Sequence, residues 1–467
     1  MRSERLVGWL VAVGLLATLA AVPGAWARST YGAEASVDEP QYLLTAIALA
    51  ERRSLDIGPE LDAERWREFH AAPLPQQTRP DAARRVSPHD PLLPALLAGP
   101  VGAFGWRAGR LALASVNGVL AAALCWTAVR RLGVAPRRAA GVALVATASA
   151  PLVVYGSQVY PELPAALAVT LAIAAGLGPV GPRTTAGVVA AVVALPWLSV
   201  KYVPVAAVLA LLHLARVWRA DDRRLVGATL AAYGGLGAAY VGLHLVWYGG
   251  VTVYAAGDFF AENGGQLAVT GTSPDLLGRT RRLLGLLVDR GFGLAAWQPA
   301  WLALLAAVPV LVRRRPPAWA WLVAPLATGW AVATWVAVTM HGWWFAGRHV
   351  LHALPAGVLV VAWWLDRHAT RTGRRLTAGA GLLGVWSAGW LVAGAVLGDH
   401  TIVVDPARTG DPWYGVWSRL LPDYLRVTAT TWAWHGVWLA VAVVVATRAW
   451  RRPEDGATAS ELQALSR

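Results

Sequence analysis

Hydrophobic residues in this chain occur in long runs that are separated by short polar connections. The runs approach the roughly 20 residues that a helix needs to cross a bilayer. They lie at residues 6–27, 108–129, 139–155, 162–178, 184–199, 202–218, 225–247, 292–312, 318–339, 349–365, 376–397 and 431–448. The pattern predicts an all-α integral membrane protein with about twelve transmembrane helices, within a range of eleven to thirteen.

The connections between these runs differ in charge. Arginine clusters occur in every second connection, at residues 130–138, 216–224, 313–315, 367–375 and 448–452. The positive-inside rule assigns those connections and both termini to the cytoplasm. The other connections, which include 28–107, 248–291 and 398–430, hold most of the Asp and Glu residues. They are predicted to face outward.

Two segments affect the number of spans. The first run follows Arg2 and Arg5 and ends in Ala25-Trp26-Ala27, which also resembles a secretory signal peptide with a cleavage site. Its apolar stretch is longer than a typical signal core, which favours a retained anchor. The segment from Leu92 to Phe104 is short and interrupted by prolines, and it predicts an interfacial or re-entrant helix.

Composition supports the membrane class. Of the 467 residues, 56% are hydrophobic and 26 are Trp, more apolar surface than a soluble domain can bury. The net charge of +14 lies in short clusters between apolar runs, which indicates topology and no nucleic-acid site. Cys125 is the only cysteine, so no intrachain disulfide can form. Residues 1–452 are predicted to form one transmembrane domain, followed by a disordered cytoplasmic tail at 453–467.

Two adjacent carboxylates, Asp38 and Glu39, stand just after the first run. Pro40 follows them and suits the first turn of a helix predicted over Gln41 to Arg53. That helix is amphipathic and is expected to lie in the membrane interface, with the acids at its positive N-terminal end. The acids are therefore expected at the outer membrane surface, where they either cap the helix or take part in chemistry.

Several outward-facing motifs share one order along the chain. They are Asp38-Glu39-Pro40-Gln41-Tyr42-Leu43, Tyr160-Pro161-Glu162-Leu163-Pro164, Leu195 to Tyr202, Gly285 to Leu294, and His341-Gly342-Trp343-Trp344 through Arg348 to Pro355. In this order they resemble the polytopic GT-C glycosyltransferases. The nearest branch contains the bacterial relatives of protein mannosyltransferases and of the lipid A aminoarabinose transferase.

The resemblance implies a bacterial inner-membrane enzyme with an extracytoplasmic active site. Its donor would be a polyprenyl-phosphate sugar, and its acceptor a glycan, glycolipid or protein hydroxyl. Asp38 would act as general base in an inverting transfer, with Glu39 orienting it or binding a divalent cation, Mg²⁺ or Mn²⁺. The phosphate leaving group calls for cations, for which Lys201, Arg348 and the arginines at 279, 281 and 282 are candidates.

Further candidates each have a structural alternative. Glu162 either contacts the substrate or caps the end of its helix. Lys201, the only lysine, either binds phosphate or extends to the lipid headgroups. Arg348 either takes part in function or anchors its helix at the membrane interface. Tyr42, which lies within the first motif, is a candidate substrate contact. His89-Asp90 is a candidate contact to the acceptor substrate or to a metal, and it is also an ordinary loop pair. His341, His349 and His352 fit interfacial packing better than metal ligation. Trp343 and Trp344 are candidates for stacking on sugar.

Two other functions fit about twelve spans with both ends inside. A secondary transporter usually has short outer loops and a repeat between its halves, whereas this chain has a long acidic first loop. A flippase for lipid-linked sugars, or another non-catalytic assembly protein, would not need the Asp38-Glu39 pair. Absence of a Walker loop and of a nucleophile elbow argues against ATP-driven transport and hydrolysis.

Overall fold

The computed structural model of the protein describes residues 3–262, 275–403 and 408–451. These residues are predominantly helical, and they contain no β-strand. The predicted tail at 453–467 lies outside the described residues. The α-helices are α1 (Ser3–Ala21), α2 (Glu39–Arg52), α3 (Gly58–Asp62), α4 (Leu92–Phe104), α5 (Trp106–Leu132), α6 (Pro136–Thr147), α7 (Leu152–Tyr155), α8 (Glu162–Gly176), α9 (Pro182–Leu198), α10 (Val203–Arg219), α11 (Arg223–Tyr248), α12 (Asp258–Glu262), α13 (Leu276–Arg279), α14 (Arg282–Val288), α15 (Leu294–Trp297), α16 (Leu304–Arg314), α17 (Trp319–Ala331), α18 (Leu354–Arg367), α19 (Arg371–Leu397), α20 (Pro412–Trp417) and α21 (Ala429–Arg451).

The predicted all-α membrane architecture is confirmed. Among the described residues, eight helical segments are long and apolar enough to cross a membrane. Two further predicted spans correspond to the shorter apolar helices α8 and α9. The predicted spans at 139–155 and 292–312 are broken, the first at Pro151 and the second by a 3-10 turn at Pro299–Ala303. Proline removes a backbone donor and clashes with the preceding turn, which explains both breaks. The count of about twelve stays a prediction.

The most buried span is the segment Arg348–Arg367, which begins with a 3-10 turn at Arg348–Ala353 and continues as α18. Within its most apolar stretch, 89% of the residues are buried inside the protein. By contrast, only 11% are buried in α21 and 17% in the span that contains α11. A helix that is hydrophobic all round belongs at the centre of a bundle. The Arg348 side chain therefore extends from the most buried span of the protein.

The first helix, α1, packs closely along α5. A Cβ atom added at Gly118 would lie 2.5 Å from the Gly14 carbonyl oxygen, so the two backbones meet where neither residue has a side chain. Asn117 Nδ2 donates to the Ala17 carbonyl at 3.1 Å and to the Thr147 carbonyl at 2.9 Å. These contacts hold α1 against α5 and the end of α6.

The helix that follows Asp38 is deeply buried. It begins at Glu39 with Pro40 in its first turn, as predicted, but residues 39 to 48 are all buried. This burial arises because α4 packs along α2. The predicted position of the helix in the membrane interface stays a prediction. A Cβ atom at Gly102 of α4 would lie 2.7 Å from Ala50 Cβ. The segment Leu92–Phe104 forms a short helix with the predicted bounds.

Candidate active site

Four charged side chains from distant parts of the chain form one continuous network. Arg348 donates from Nη2 to the Asp38 carboxylate and from Nε to Glu162 Oε1 at 2.8 Å. Lys201 Nζ donates to the same Glu162 oxygen at 2.6 Å. Glu162 is fully buried, whereas Asp38 keeps 23% of its side chain exposed. Two acids balance two bases, so the network is neutral as it stands.

Each member of this network lies where a helix begins or ends. Asp38 precedes α2, Glu162 is the first residue of α8, Lys201 lies in the 3-10 turn between α9 and α10, and Arg348 opens the central span. Because the helix ends fix the backbone at these positions, the four side chains meet at one end of the bundle. Val37, beside Asp38, has a φ of 61°. A β-branched residue rarely adopts this left-handed conformation, and such strain, on the order of 1–3 kcal/mol, is concentrated at functional sites.

The network forms part of the wall of a cavity of about 870 Å³. Asp38, Lys201 and Arg348 line it, and Glu162 supports them from behind. The guanidinium of Arg348 lies 4.4 Å from the Tyr160 ring centre and 5.2 Å from that of Trp344. Aromatic contact and buried carboxylates together fix its orientation. Other lining residues include Tyr42, His89, Asp90, Tyr254, His341, Trp343, Trp344 and His349.

Electrostatics keep Asp38 ionised. Burial by itself raises the pKa of Asp38, but the Arg348 guanidinium and His89 outweigh burial and hold that pKa well below the ordinary carboxyl range. His89 Nε2 lies 3.7 Å from Asp38 Oδ1, and its Nδ1 is hydrogen-bonded to Ser87 at 2.9 Å. Burial, reinforced by Asp38, raises the pKa of Tyr42 well above its usual range. Tyr42 therefore presents a neutral phenol to the cavity.

Glu39 points away from the cavity, in contrast to the role predicted for it. Its carboxylate is fully buried and accepts from Arg110 at 3.0 Å, from the Val159 amide at 2.8 Å and from Ser29 Oγ at 2.7 Å. Arg110 is itself 1% exposed and also donates to the Ala27 carbonyl at 2.9 Å. These contacts use both carboxylate oxygens. The geometry therefore suits a structural link between the first loop, α5 and the segment before α8, and it does not suit orienting Asp38.

Asp90 lies at the cavity wall but is 2% exposed. It accepts from the Val200 amide at 3.0 Å, from Tyr240 Oη at 3.3 Å and from His244 Nε2 at 3.2 Å. The amide that it holds belongs to the residue before Lys201. Asp90 therefore positions the turn that carries Lys201 against α11, which is a different use from the direct substrate contact predicted.

The remaining candidates fall into two groups. Arg279 and Arg282 do not line the cavity; they donate to the carbonyls of Trp335 at 2.6 Å and Ala337 at 2.7 Å, which end the helical stretch after α17. His341 and His349 do line the cavity, whereas the His352 ring packs 4.6 Å from that of Tyr202. Arginine side chains readily donate to the unpaired carbonyls at the C-terminal end of a helix. Arg279 and Arg282 are therefore bonded to that helix end and not to the cavity.

A divalent cation fits this donor set poorly. Among the described residues, no group of three or more His, Cys, Asp or Glu side chains is arranged to hold a metal ion. In addition, the acids of the network already contact Arg348 or Lys201. Oxygen-rich, uncompensated carboxylates are what Mg²⁺ and Mn²⁺ require. The predicted cation stays a prediction.

Comparison with solved structures identifies the architecture. No family model matches the chain, and no curated protein matches it by sequence. ArnT from Cupriavidus metallidurans matches with a TM-score of 0.51 in the apo state, at 13% identity over 95% of this chain and 77% of ArnT. Its structure bound to undecaprenyl phosphate matches with a TM-score of 0.52, at 14% identity over 96% of this chain and 78% of ArnT. This chain has the fold of ArnT.

The fold expected from the resemblance is therefore confirmed. The oligosaccharyltransferase of Archaeoglobus fulgidus is a more remote match, with a TM-score of 0.44 at 10% identity over 94% of this chain and 60% of that one. In this ArnT-like fold, the cavity of about 870 Å³ lies at the end of the bundle where Asp38, Lys201 and Arg348 meet.

Sequence reasoning missed the partners that hold the site together. Arg110 falls within the predicted span at 108–129, where an ionisable residue is costly and therefore informative. His244 and Tyr240 lie in the predicted span at 225–247 and carry the same signal. A polar residue within a membrane span needs a hydrogen-bonding or charged partner, so each of these residues predicts an acid nearby. The sequence does not identify Glu39 or Asp90 as that acid, because the pairings join residues 71 and 154 positions apart.

Proposed function

We propose that this protein is a membrane glycosyltransferase that moves a sugar from a polyprenyl-phosphate donor to an acceptor hydroxyl. The observation that carries the proposal is the Asp38–Arg348–Glu162–Lys201 network at the wall of a cavity of about 870 Å³. The fold adds support, because ArnT has been solved with undecaprenyl phosphate bound. Phosphate recognition needs cations, and an attacking hydroxyl needs a nearby base; the network contains both.

Lys201 and Arg348 are assigned to the donor phosphate. Both are largely buried, and both face the cavity from a rigid helix end. A phosphate entering there competes with Asp38 and Glu162 for their N–H groups. Charge-assisted hydrogen bonds to phosphate are among the strongest in proteins, and they gain strength as negative charge develops on the leaving group.

Asp38 is assigned as the general base. As the acceptor hydroxyl attacks the anomeric carbon, Asp38 accepts its proton, the new C–O bond forms and the bond from carbon to phosphate oxygen breaks. The phosphate leaves with the electron pair, held by Lys201 and Arg348, and the anomeric configuration inverts. When Arg348 turns to the phosphate, Asp38 loses a hydrogen-bond donor and becomes a stronger base. Donor binding and base activation are thereby coupled in one residue.

We assign the cell location from the charge pattern of the chain together with the resemblance to bacterial GT-C enzymes. The arginine-rich connections are assigned to the cytoplasm, so the site lies at the outer face of a bacterial inner membrane and both termini lie inside. Donors attached to polyprenyl phosphate are suited to this face, because the lipid holds the sugar at the membrane surface. The acceptor is assigned only by class, as a hydroxyl of a glycan, glycolipid or protein.

Reconstitution tests the proposal. Purified protein in liposomes is given polyprenyl-phosphate-linked sugars extracted from bacterial membranes, and release of free polyprenyl phosphate is followed by mass spectrometry. We expect release that depends on an acceptor fraction and disappears in Asp38→Asn, while undecaprenyl phosphate still binds that variant. Full activity of Asp38→Asn would overturn the assigned base. Solute uptake into the liposomes without donor consumption would favour a transporter.

A further inference from the structure

A separate cavity of about 370 Å³ lies between α6, α18 and α19. Its walls are almost entirely apolar, and arginine side chains stand at one end of it. The apolar lining includes Gly141, Val145, Trp301, Val358, Val361 and Leu382, and the arginines are Arg138 and Arg374. Within a bilayer, a groove of this composition accepts a hydrocarbon chain, and its charged end marks where a headgroup would lie.

The charge at that end is strongly unbalanced. The segments 137–138 and 366–375 contain six arginines and a single acid, Asp366. Arg138 donates to the Asp366 carboxylate and to its carbonyl at 3.1 Å, and Arg374 Nε donates to the Leu365 carbonyl at 2.8 Å. These bonds hold the two guanidinium groups at the end of α18, beside the groove. One carboxylate does not neutralise six cations, so the groove end complements an anionic headgroup.

This groove and the proposed donor site lie at opposite faces of the membrane. The central span begins at Arg348, in the proposed site, and reaches Asp366 one residue before it ends. Six residues of 3-10 helix and fourteen of α-helix measure about 30 Å. That length matches the hydrocarbon thickness of a bilayer, about 30 Å. A lipid whose phosphate contacts Arg138 is therefore a different molecule from a donor whose phosphate contacts Arg348.

We propose that this groove is a binding site for an anionic phospholipid of the leaflet on the arginine side. One acyl chain lies in the groove between α6 and α19, and the headgroup phosphate contacts Arg138 and Arg374. The lipid fills a gap that protein side chains leave open and holds α19 against α6 and α18. This inference is independent of the proposed glycosyl transfer, because it concerns the opposite face.

Two kinds of variant test the site, one at the apolar groove and one at the arginines of its charged end. Gly141→Leu fills the groove; a Cβ atom there meets no atom within 4 Å, so the fold tolerates the change. Its matched control is Gly227→Leu on α11, another exposed helical glycine whose added Cβ meets no atom within 4 Å. The double variant Arg138→Gln/Arg374→Gln removes the headgroup contacts. Its control, Arg223→Gln/Arg224→Gln, removes the same charge from a different basic connection.

The full chain is purified in detergent and incubated with dioleoylphosphatidylglycerol or with dioleoylphosphatidylcholine. Native mass spectrometry counts bound lipids, and thermal unfolding gives the midpoint shift. We expect the wild type and both controls to retain a phosphatidylglycerol and to gain a higher midpoint from it than from phosphatidylcholine. Gly141→Leu and the double arginine variant should lose both effects.

Equal retention and equal shifts with the two lipids in the wild type would overturn the proposal, and so would an unchanged phosphatidylglycerol effect in Gly141→Leu. The glycine pair keeps the test decisive if the double arginine variant fails to fold. Sugar transfer is not part of the readout, so a failure of the proposed enzyme activity leaves this result interpretable.

Discussion

Arg348 is hydrogen-bonded to Asp38 although 310 residues of the chain separate them. Burial by itself raises the pKa of Asp38; Arg348, together with His89, outweighs burial and keeps Asp38 ionised throughout the neutral range. An ionised carboxylate can accept a proton, but one that is stabilised by a guanidinium is a weak base. The pairing therefore suggests a resting state, in which the proposed base becomes effective only after a phosphate has engaged Arg348.

Replacement of the proposed base tests this idea directly. We expect Asp38→Asn to lower the transfer rate by about 10²- to 10⁴-fold, which is the usual contribution of a general base. Undecaprenyl phosphate should bind the variant at least as well as the wild type, because Arg348 no longer has an ionised competitor. Turnover assays measure the transfer rate, and a binding titration measures the affinity for undecaprenyl phosphate.

The control for that experiment is Asp81→Asn, which changes an exposed aspartate in the same loop. It should leave both quantities unchanged. Weaker binding of undecaprenyl phosphate to Asp38→Asn, with turnover preserved, would contradict both the assignment of the base and the competition with the donor.

Substitutions in the buried pair of Lys201 and Glu162 distinguish an effect on phosphate binding from an effect on stability. Lys201→Met leaves the Glu162 carboxylate with one cation instead of two, and we expect a loss of about 3–5 kcal/mol in the free energy of unfolding. Adding Glu162→Gln should restore much of that loss, because the uncompensated charge is gone. Affinity for undecaprenyl phosphate should stay reduced by about 10- to 100-fold in both variants, as expected for loss of a charge-assisted hydrogen bond. Recovery of binding in the double variant would rule Lys201 out as a phosphate ligand.

Glu39 should behave as a structural residue. In Glu39→Gln the buried Arg110 guanidinium loses its counter-charge, so we expect a marked drop in thermal stability and in the yield of folded protein. The turnover number of the folded fraction should be nearly unchanged. Double substitution with Arg110→Met should recover stability. A stable Glu39→Gln protein with turnover lost would instead support the catalytic role predicted from the sequence.

The fold could be predicted from the sequence because membrane spans depend on local composition. Runs at 108–129, 225–247 and 376–397 became α5, α11 and α19 with boundaries shifted by only a few residues. Where proline interrupts a run, as at Pro151, a hydropathy pattern cannot tell a bent span from two short helices. The predicted number of spans therefore depends on how such an interrupted run is divided.

The candidate site was predictable in its members but not in its pairings. Asp38, Lys201 and Arg348 all line one cavity, because each lies at a helix end on the same side of the bundle. Adjacent residues on a helix start point in different directions, so Glu39 is directed into the core while Asp38 faces the cavity. Tertiary contacts, with Arg110 for Glu39 and with Arg348 for Asp38, distinguish the two acids.

Asp90 should act as a positioning residue for Lys201. In Asp90→Asn the carboxylate that accepts from the Val200 amide is replaced by a weaker acceptor, and the turn before Lys201 loosens. We expect the KM for the donor to rise by about 10-fold, the equivalent of one hydrogen bond, with little change in kcat. A fall in kcat at constant KM would place Asp90 in the chemical step instead. His244→Gln provides the comparison, since it removes a second partner of Asp90 without touching the cavity wall.

The pH dependence of turnover distinguishes the free enzyme from the donor complex. The lowered pKa of Asp38 means that its stabilising contact with Arg348 is fully present above the unfolded pKa, about 4, and is lost only as the pH falls below it. In kcat/KM, which reports the free enzyme, Asp38 should therefore cause no acid limb above about pH 4. In the complex, the phosphate draws Arg348 away and the pKa of Asp38 rises, so kcat should begin to fall at a higher pH. Steady-state profiles from pH 4 to 8 should show an acid limb in kcat and none from Asp38 in kcat/KM, with Asp38→Glu as a second carboxylate. A kcat profile with no acid limb in this range would show that the donor leaves the Arg348–Asp38 contact intact.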